Sequence, residues 1–227
     1  MTIGASKRDT IRAELDHVAA WAAQNNLRLN ASKSREMIIT RRGKVDRPPP
    51  TVGIERVTSM DILGVTIRDD LRASSHVEGV ICASSRSLYA LRVLRAHGLP
   101  PAALHVVTRA TTVARLLYAS PAWWGLTTAA DRSKLDRFLL ITQRMGFLPE
   151  LAPGMPEMVY AAEDGLLRAV GQNTSHVLRS LFPPTITRRP GLRPRPHDFE
   201  LPPKDDKNFI PRVLYKTLSK NKQINCK

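Results

Sequence analysis

The sequence predicts an α+β fold: a small unit of one helix and short antiparallel strands, a mostly α-helical bundle, and a disordered basic tail. Three observations carry that expectation. Apolar residues recur at helical intervals over most of residues 75–182, short runs of strand formers occur only before residue 70, and residues 183–227 hold 8 of the 17 prolines with 11 basic against 4 acidic residues. The expected domains are therefore 1–72, 73–182 and 183–227.

The first helix is marked by Ser6 and Asp9 at capping-box spacing, followed by Ile11, Leu15, Val18 and Ala22 on one face. Asn25 and Asn26 suit its end because asparagine tolerates a left-handed backbone. Glu36 to Arg41, with Met37, Ile38 and Ile39 between charges, is too short for a helix and reads as a strand. Pro48, Pro49 and Pro50 enforce a loop. Ile62 to Ile67 reads as a second strand, with Gly64 a bulge or a point of close backbone approach.

From Ser75 the period becomes helical. Ser75 and Glu78 form a capping box, and Val77, Ile81, Leu88 and Leu91 make a stripe that stops at Gly98. Pro101 opens the next helix, with Leu104, Val107, Ala114, Leu117 and Tyr118 inward, and Pro121 and the Trp123-Trp124-Gly125 corner end it. A third helix is expected from about Ala130 to Met145 on Leu135, Phe138, Leu139 and Thr142. Pro149, Pro153 and Pro156 then forbid regular structure. A fourth helix, about Met158 to Phe182, carries Gly165 and Gly171, each costing roughly 1 kcal/mol against alanine, so a break or bend is expected there. In the tail, Phe209, Ile210, Val213, Leu214 and Tyr215 form one patch apolar enough to be ordered by contact.

Composition bounds the function. The chain has 227 residues, 35 Lys plus Arg against 20 Asp plus Glu, and a net charge of +15, which points to a polyanion, RNA or DNA before acidic lipid. Aromatic residues at 5% give few stacking platforms, so binding is expected to be mostly electrostatic. The longest uncharged run, between Arg115 and Asp131, is broken by Pro121 and Gly125 and falls short of the roughly 18 apolar residues of a membrane span. No membrane partner is expected. Charges at Lys7, Arg8, Asp9, Arg12 and Glu14 occupy the place of a secretory signal's apolar stretch, so an intracellular location is expected, with Cys82 and Cys226 as free thiols.

The short motifs of phosphate-loop, serine-hydrolase and zinc-protease chemistry are absent. The six histidines have no ligand spacing. Asp69-Asp70 and Asp205-Asp206 are adjacent carboxylates of the kind a two-metal site uses, but both fall in loops and read as solvated charge. The helical arginines are Arg86, Arg92 and Arg95 on one helix, Arg109 and Arg115 on the next, and Arg132, Arg137 and Arg144 on the third. Arg86, Arg92, Arg95 and Arg109 are the candidate phosphate contacts, because the planar guanidinium donates bidentate hydrogen bonds, and the alternative is a solvated outer face.

Taken together, Glu14-Leu15 with Trp21, the run Asn25 to Ser34, Glu36 to Ile39, and Ile62-Leu63-Gly64-Val65 resemble the post-catalytic part of reverse transcriptases (RNA-directed DNA polymerases) of LINE-type, jockey-like non-LTR retrotransposons. The first three look like palm motif D and the fourth like motif E, the primer grip. The resemblance continues through Leu88 to Arg92, His97-Gly98-Leu99 and Tyr118 to Gly125, similar to a helical thumb. It extends to Leu192 to His197 and Asp205 to Arg212, similar to the closing segment of such polyproteins.

The resemblance implies residues 1–72 as the end of a palm and 73–182 as a thumb, with an RNA/DNA primer-template as partner. In a complete transposable-element enzyme Lys33 would be a general acid toward the pyrophosphate leaving group. Leu63 and Gly64 would hold the primer terminus by packing and close backbone approach. The family's Mg2+-binding aspartates belong to motifs A and C, upstream of the matched segments. No cofactor is therefore expected on this fragment, no polymerisation by it alone, and the missing fingers and palm are a candidate partner. Two alternatives stay open: a non-enzymatic nucleic-acid-binding or interaction module, and a non-functional retrotransposon remnant.

Overall fold

The computed structural model describes residues 11–39, 49–51, 53–186 and 197–224. Among them the chain is an α+β protein of helices with a few short strands, divided into two compact units, Met1–Met60 and Asp61–Lys227. The division comes before residue 72 because the strand following Gly64 packs on the helical unit, with Val65 in the same apolar core as Val77.

In the first unit, α1 (Ile11–Gln24) ends as its asparagines predict: Asn26 takes φ 55°, and the Asn25 side-chain amide donates to the Trp21 carbonyl at 2.8 Å. The expected Ser6–Asp9 cap lies outside the described residues. Of the described part of the run expected as a strand, Glu36 alone lies in a strand, β1 (Arg35–Glu36), which pairs with β2 (Glu55–Arg56) in parallel rather than antiparallel fashion. Charge explains the register: Arg35 lies opposite Glu55 and Glu36 opposite Arg56, with ion pairs of 2.9 and 2.8 Å. Residues 40–48 of the expected strand and loop are outside the described residues.

The expected strand Ile62–Ile67 is instead a hairpin. β3 (Ser59–Ile62) pairs with β4 (Val65–Arg68) across Leu63-Gly64, and a two-residue connection joins only antiparallel strands. Leu63 at φ 49° and Gly64 at φ 80° give both central residues the positive φ of a type I′ turn. Glycine takes that conformation freely, whereas Leu63 adopts it against its Cβ. Gly64 therefore serves a turn, not a bulge.

The helical unit begins with α2 (Ser74–Ala96). Its N-cap is Ala73, two residues earlier than the Ser75 box implies, and the Ser74 hydroxyl donates to the Asp131 carboxylate at 2.7 Å. A continuous right-handed rod follows: α3 (Pro101–Thr108), a π-helical turn at Arg109–Val113, and α4 (Ala114–Leu117). Left-handed Ala119, φ 49°, breaks the rod before α5 (Ser120–Trp123), whose first turn holds Pro121. A capping box then starts α6 (Ala129–Arg144): Asp131 N–H donates to Thr128 Oγ1 at 3.1 Å and Thr128 N–H donates back to Asp131 at 2.9 Å.

α7 (Met155–Gln172) corrects two expectations. Pro156 opens this helix instead of forbidding it, since a proline in the first turn gives up no intrahelical hydrogen bond. Gly165 does not break it, because Val159, Glu163 and Val170 are buried on one face and packing outweighs propensity. The principal core joins α2 to α7 around Trp123, Trp124, Leu104, Leu116, Leu135 and Phe147, all 2% exposed or less.

The tail expected to be disordered is ordered wherever it is described. Thr185 bridges Phe199, and α8 (Phe209–Ile224) follows. Val170, Phe182, Phe199, Val213 and Leu214 form a second apolar core, so the patch at residues 209–214 is the reason for the order. Charge completes it. Glu163 is fully buried on α7; its Oε1 accepts from Arg212 Nε and Nη2 at 2.9 and 2.8 Å, and its Oε2 from Lys216 at 3.2 Å. Arg212 also donates to the carbonyls of Lys207 (2.7 Å) and Pro121 (2.9 Å). Gly125 is required there, since a Cβ would fall 2.0 Å from both the Lys207 oxygen and Arg212 Nη1.

Candidate nucleic-acid interface and the cleft beside the hairpin

The hairpin tip, α2 and the π-helical turn enclose a cleft of about 730 Å3, within the 300–1,000 Å3 typical of small-molecule sites. Between its ends it is lined mostly by small residues, Gly79, Ala83, Ala110 and Ala114, with Val80 and Thr111, which leave space between α2 and the rod. Tyr118 walls one side. Its ring lies 3.4 Å from where a Gly64 Cβ would sit, and its hydroxyl donates to the Leu63 carbonyl at 3.1 Å, which fixes the hairpin tip.

Two charged ends flank this lining. At one end Asp61 accepts the Thr66 hydroxyl, and Thr66 N–H donates to His76 Nδ1 at 3.4 Å. With Nδ1 an acceptor, the neutral ring carries its proton on Nε2, which is buried and has no partner. Burial, opposed by the Asp61 charge, holds the imidazole below its ordinary pKa, so His76 is neutral at pH 7. It packs edge-on against Trp123 at 5.1 Å. At the other end Arg115 donates through Nη1 to the Ala83 carbonyl (3.0 Å) and to Ser87 Oγ (2.8 Å), and among the described residues it has no carboxylate partner.

The sequence-predicted residues are spread over both units. Lys33 closes a 3-10 turn, Ala31–Lys33, where its N–H donates to Asn30 Oδ1 at 3.2 Å and its side chain is exposed. Leu63, 88% exposed, stands at the hairpin apex beside Gly64. Arg86 and Arg109 are exposed and, among the described residues, make no ion pair or side-chain hydrogen bond. Arg92 and Arg95 are engaged within the protein: Arg92 donates toward Met145 Sδ at 3.4 Å, and Arg95 donates to the Met145 carbonyl at 2.6 Å with its guanidinium 4.7 Å above the Phe147 ring. They hold the connection after α6. Cys82 is a free, exposed thiol.

Sequence reasoning missed Asp61 and His76; it counted Arg115 only among the helical arginines and placed Tyr118 inward, whereas Tyr118 is 55% exposed and lines the cleft. Periodicity places Ala114 and Leu117 inward, and no local signal tells that the π-helical turn brings Arg115 onto α2.

Among the described residues no group of three or more His, Cys, Asp or Glu side chains converges as a metal site requires, and the paired aspartates do not fit Mg2+. Asp70 pairs with Arg68 and Arg72, and Asp205 accepts from the Lys207 N–H and the Asn208 amide, so both carboxylates close turns. Among the described residues no helix is long and apolar enough to cross a membrane. No protein-family model, no curated protein and no solved structure matches this chain.

Proposed function

We propose that this chain is the motif D-to-thumb portion of a non-LTR retrotransposon reverse transcriptase and that it binds a primer-template duplex through phosphate contacts without carrying out polymerisation itself. The observation that carries the reading is the order of elements: a tight hairpin with an exposed leucine at its apex, followed directly by a helical bundle. A primer grip needs such an apex to meet the primer terminus. Arg86 and Arg109, exposed on the bundle, and the excess of +15 supply the attraction for phosphate.

A second reading, a nucleic-acid-binding module with no polymerase role, is favoured by one observation: the second core and the Glu163–Arg212 pair close the unit Asp61–Lys227 on its own C-terminal segment.

Fluorescence anisotropy of a labelled primer-template duplex tests both. Binding with a Kd of about 10⁻⁴ to 10⁻⁶ M at physiological salt is expected, with little dependence on sequence. With about four phosphate contacts, raising salt from 50 to 200 mM weakens binding by about two orders of magnitude. Arg86→Gln and Arg109→Gln should each reduce the salt slope by about 1. Affinity unchanged over that salt range overturns both readings. Preference for a recessed 3′ primer end over blunt duplex, abolished by Leu63→Ser, separates the first from the second.

A further inference from the structure

The cleft beside the hairpin has a composition that duplex binding does not use. Both of its ends carry charge that the described residues leave unsatisfied. Among the described residues Asp61 makes no ion pair and accepts only the Thr66 hydroxyl, and its neighbour His76 is neutral, so the exposed carboxylate lies open to further hydrogen-bond donors. Arg115 uses Nη1 for the Ala83 carbonyl and Ser87, which leaves Nε and Nη2 open to an anion. The two ends are held apart by α2. His76 and Ala83 are seven residues apart on that helix, about 10 Å at 1.5 Å per residue, with Asp61 and Thr66 beside the first and Arg115 beside the second.

An occupant must therefore offer donors at one end, an anion about 10 Å away at the other, and a flat body able to lie against a lining of mostly small residues. The geometry points to a nucleoside 5′-monophosphate whose base carries an exocyclic amine, the amine donating to Asp61 and the phosphate accepting from Arg115. A flat base suits a lining in which Gly79, Ala83, Ala110 and Ala114 carry no Cγ atoms, and Tyr118 offers it an aromatic wall. A simple anion is disfavoured by Asp61 and a simple cation by Arg115. The inference does not depend on the polymerase reading, since a free nucleotide and a nucleotide within a strand present the same chemistry.

Gly79 gives a test that spares the fold. It lines the cleft from inside α2, and a Cβ added there meets nothing within 4 Å, so Gly79→Leu occupies the cleft while improving helix propensity. Calorimetric titration of the full chain with adenosine 5′-monophosphate should give a Kd below about 1 mM. Uridine 5′-monophosphate, whose smaller base carries carbonyls and no exocyclic amine, and adenosine, without phosphate, should each bind at least about tenfold more weakly. Gly79→Leu should abolish binding with an unchanged circular dichroism spectrum and an unchanged or raised Tm.

A six-residue oligoadenylate distinguishes the sources: Gly79-sensitive binding tighter than that of the mononucleotide assigns the cleft to a strand, and binding of the mononucleotide alone assigns it to a free nucleotide. Adenosine 5′-monophosphate failing to bind at 10 mM, uridine 5′-monophosphate matching it, or Gly79→Leu binding as well as the parent overturns the inference. Duplex affinity measured on the same samples separates the two proposals. Salt-sensitive duplex binding without nucleotide binding overturns this one alone, and the converse overturns the proposed function alone.

Discussion

Replacing Arg212 with alanine strands a carboxylate. Glu163 is fully buried, and of its two partners Arg212 supplies both contacts to Oε1 at 2.8–2.9 Å, while Lys216 reaches only Oε2 at 3.2 Å. Removing one partner of a buried pair typically costs about 3–5 kcal/mol, because the remaining charge stays desolvated without its counter-ion. The carbonyls of Lys207 and Pro121 lose their donor in the same step. For a unit of this size each kcal/mol moves Tm by about 2–4 °C, so a fall of about 6–20 °C is expected in a calorimetric or circular dichroism melt. The companion variant Glu163→Gln removes the stranded charge. In the double variant the two losses should fall short of additivity by about 1–3 kcal/mol. A single-variant shift under about 2 °C, or additive losses, would refute the argument that this pair holds α8 to α7.

Three further outcomes follow from the same structure. Gly125→Ala should loosen residues 197–216, because its Cβ would fall 2.0 Å from the Lys207 carbonyl oxygen; limited proteolysis should then cut that segment faster, while Gly165→Ala, whose Cβ meets nothing, should not change the pattern. Asp131 is buried, which by itself would raise its pKa, but hydrogen bonds from Thr128 and Ser74 hold it below the ordinary 3.8. Its contribution is therefore present above about pH 4 and lost as pH falls through the folded pKa, so Asp131→Asn should flatten the acid limb of stability against pH in urea melts. Leu63→Asn should raise stability by about 1 kcal/mol, since asparagine before glycine suits the type I′ turn that Leu63 enters at φ 49°, and should weaken primer-end binding; an unchanged urea midpoint would show that the leucine is not strained.

The helices of the bundle were legible where one face is apolar over several turns: the stripe Val77, Ile81, Leu88, Leu91 lies on α2, and Leu135, Phe138 and Leu139 lie on α6. Features decided by partners far along the chain were not. α2 starts ahead of Ser75, and the Asp131 carboxylate that takes the Ser74 hydroxyl is 57 residues away. The Leu63-Gly64 turn was hidden because leucine is a poor residue for a left-handed position, and the contact that fixes it comes from Tyr118, 55 residues on. The tail reads as disordered because its proline-rich, basic composition offers no core of its own; its order comes from distant partners, with two of its cations on one buried carboxylate of α7. Within the candidate site the exposed arginines could be named but not placed, and the cleft required the π-helical turn, which has no periodic signature.

The distance along the chain between Glu163 and its cations sets an order on synthesis. Arg212 and Lys216 are translated 49 and 53 residues after the glutamate. At about 5–20 residues per second, the ribosome leaves α7 for about 2–11 s with an acidic group that cannot be buried without its counter-ions. During that interval Leu166, Leu167 and Val170 on the same helix also lack the side chains of α8 that cover them. A nascent chain paused in this window presents an apolar helix face with a carboxylate in its middle. Slow codons between residues 172 and 212 would therefore lengthen exposure to chaperones and proteases without altering the finished protein.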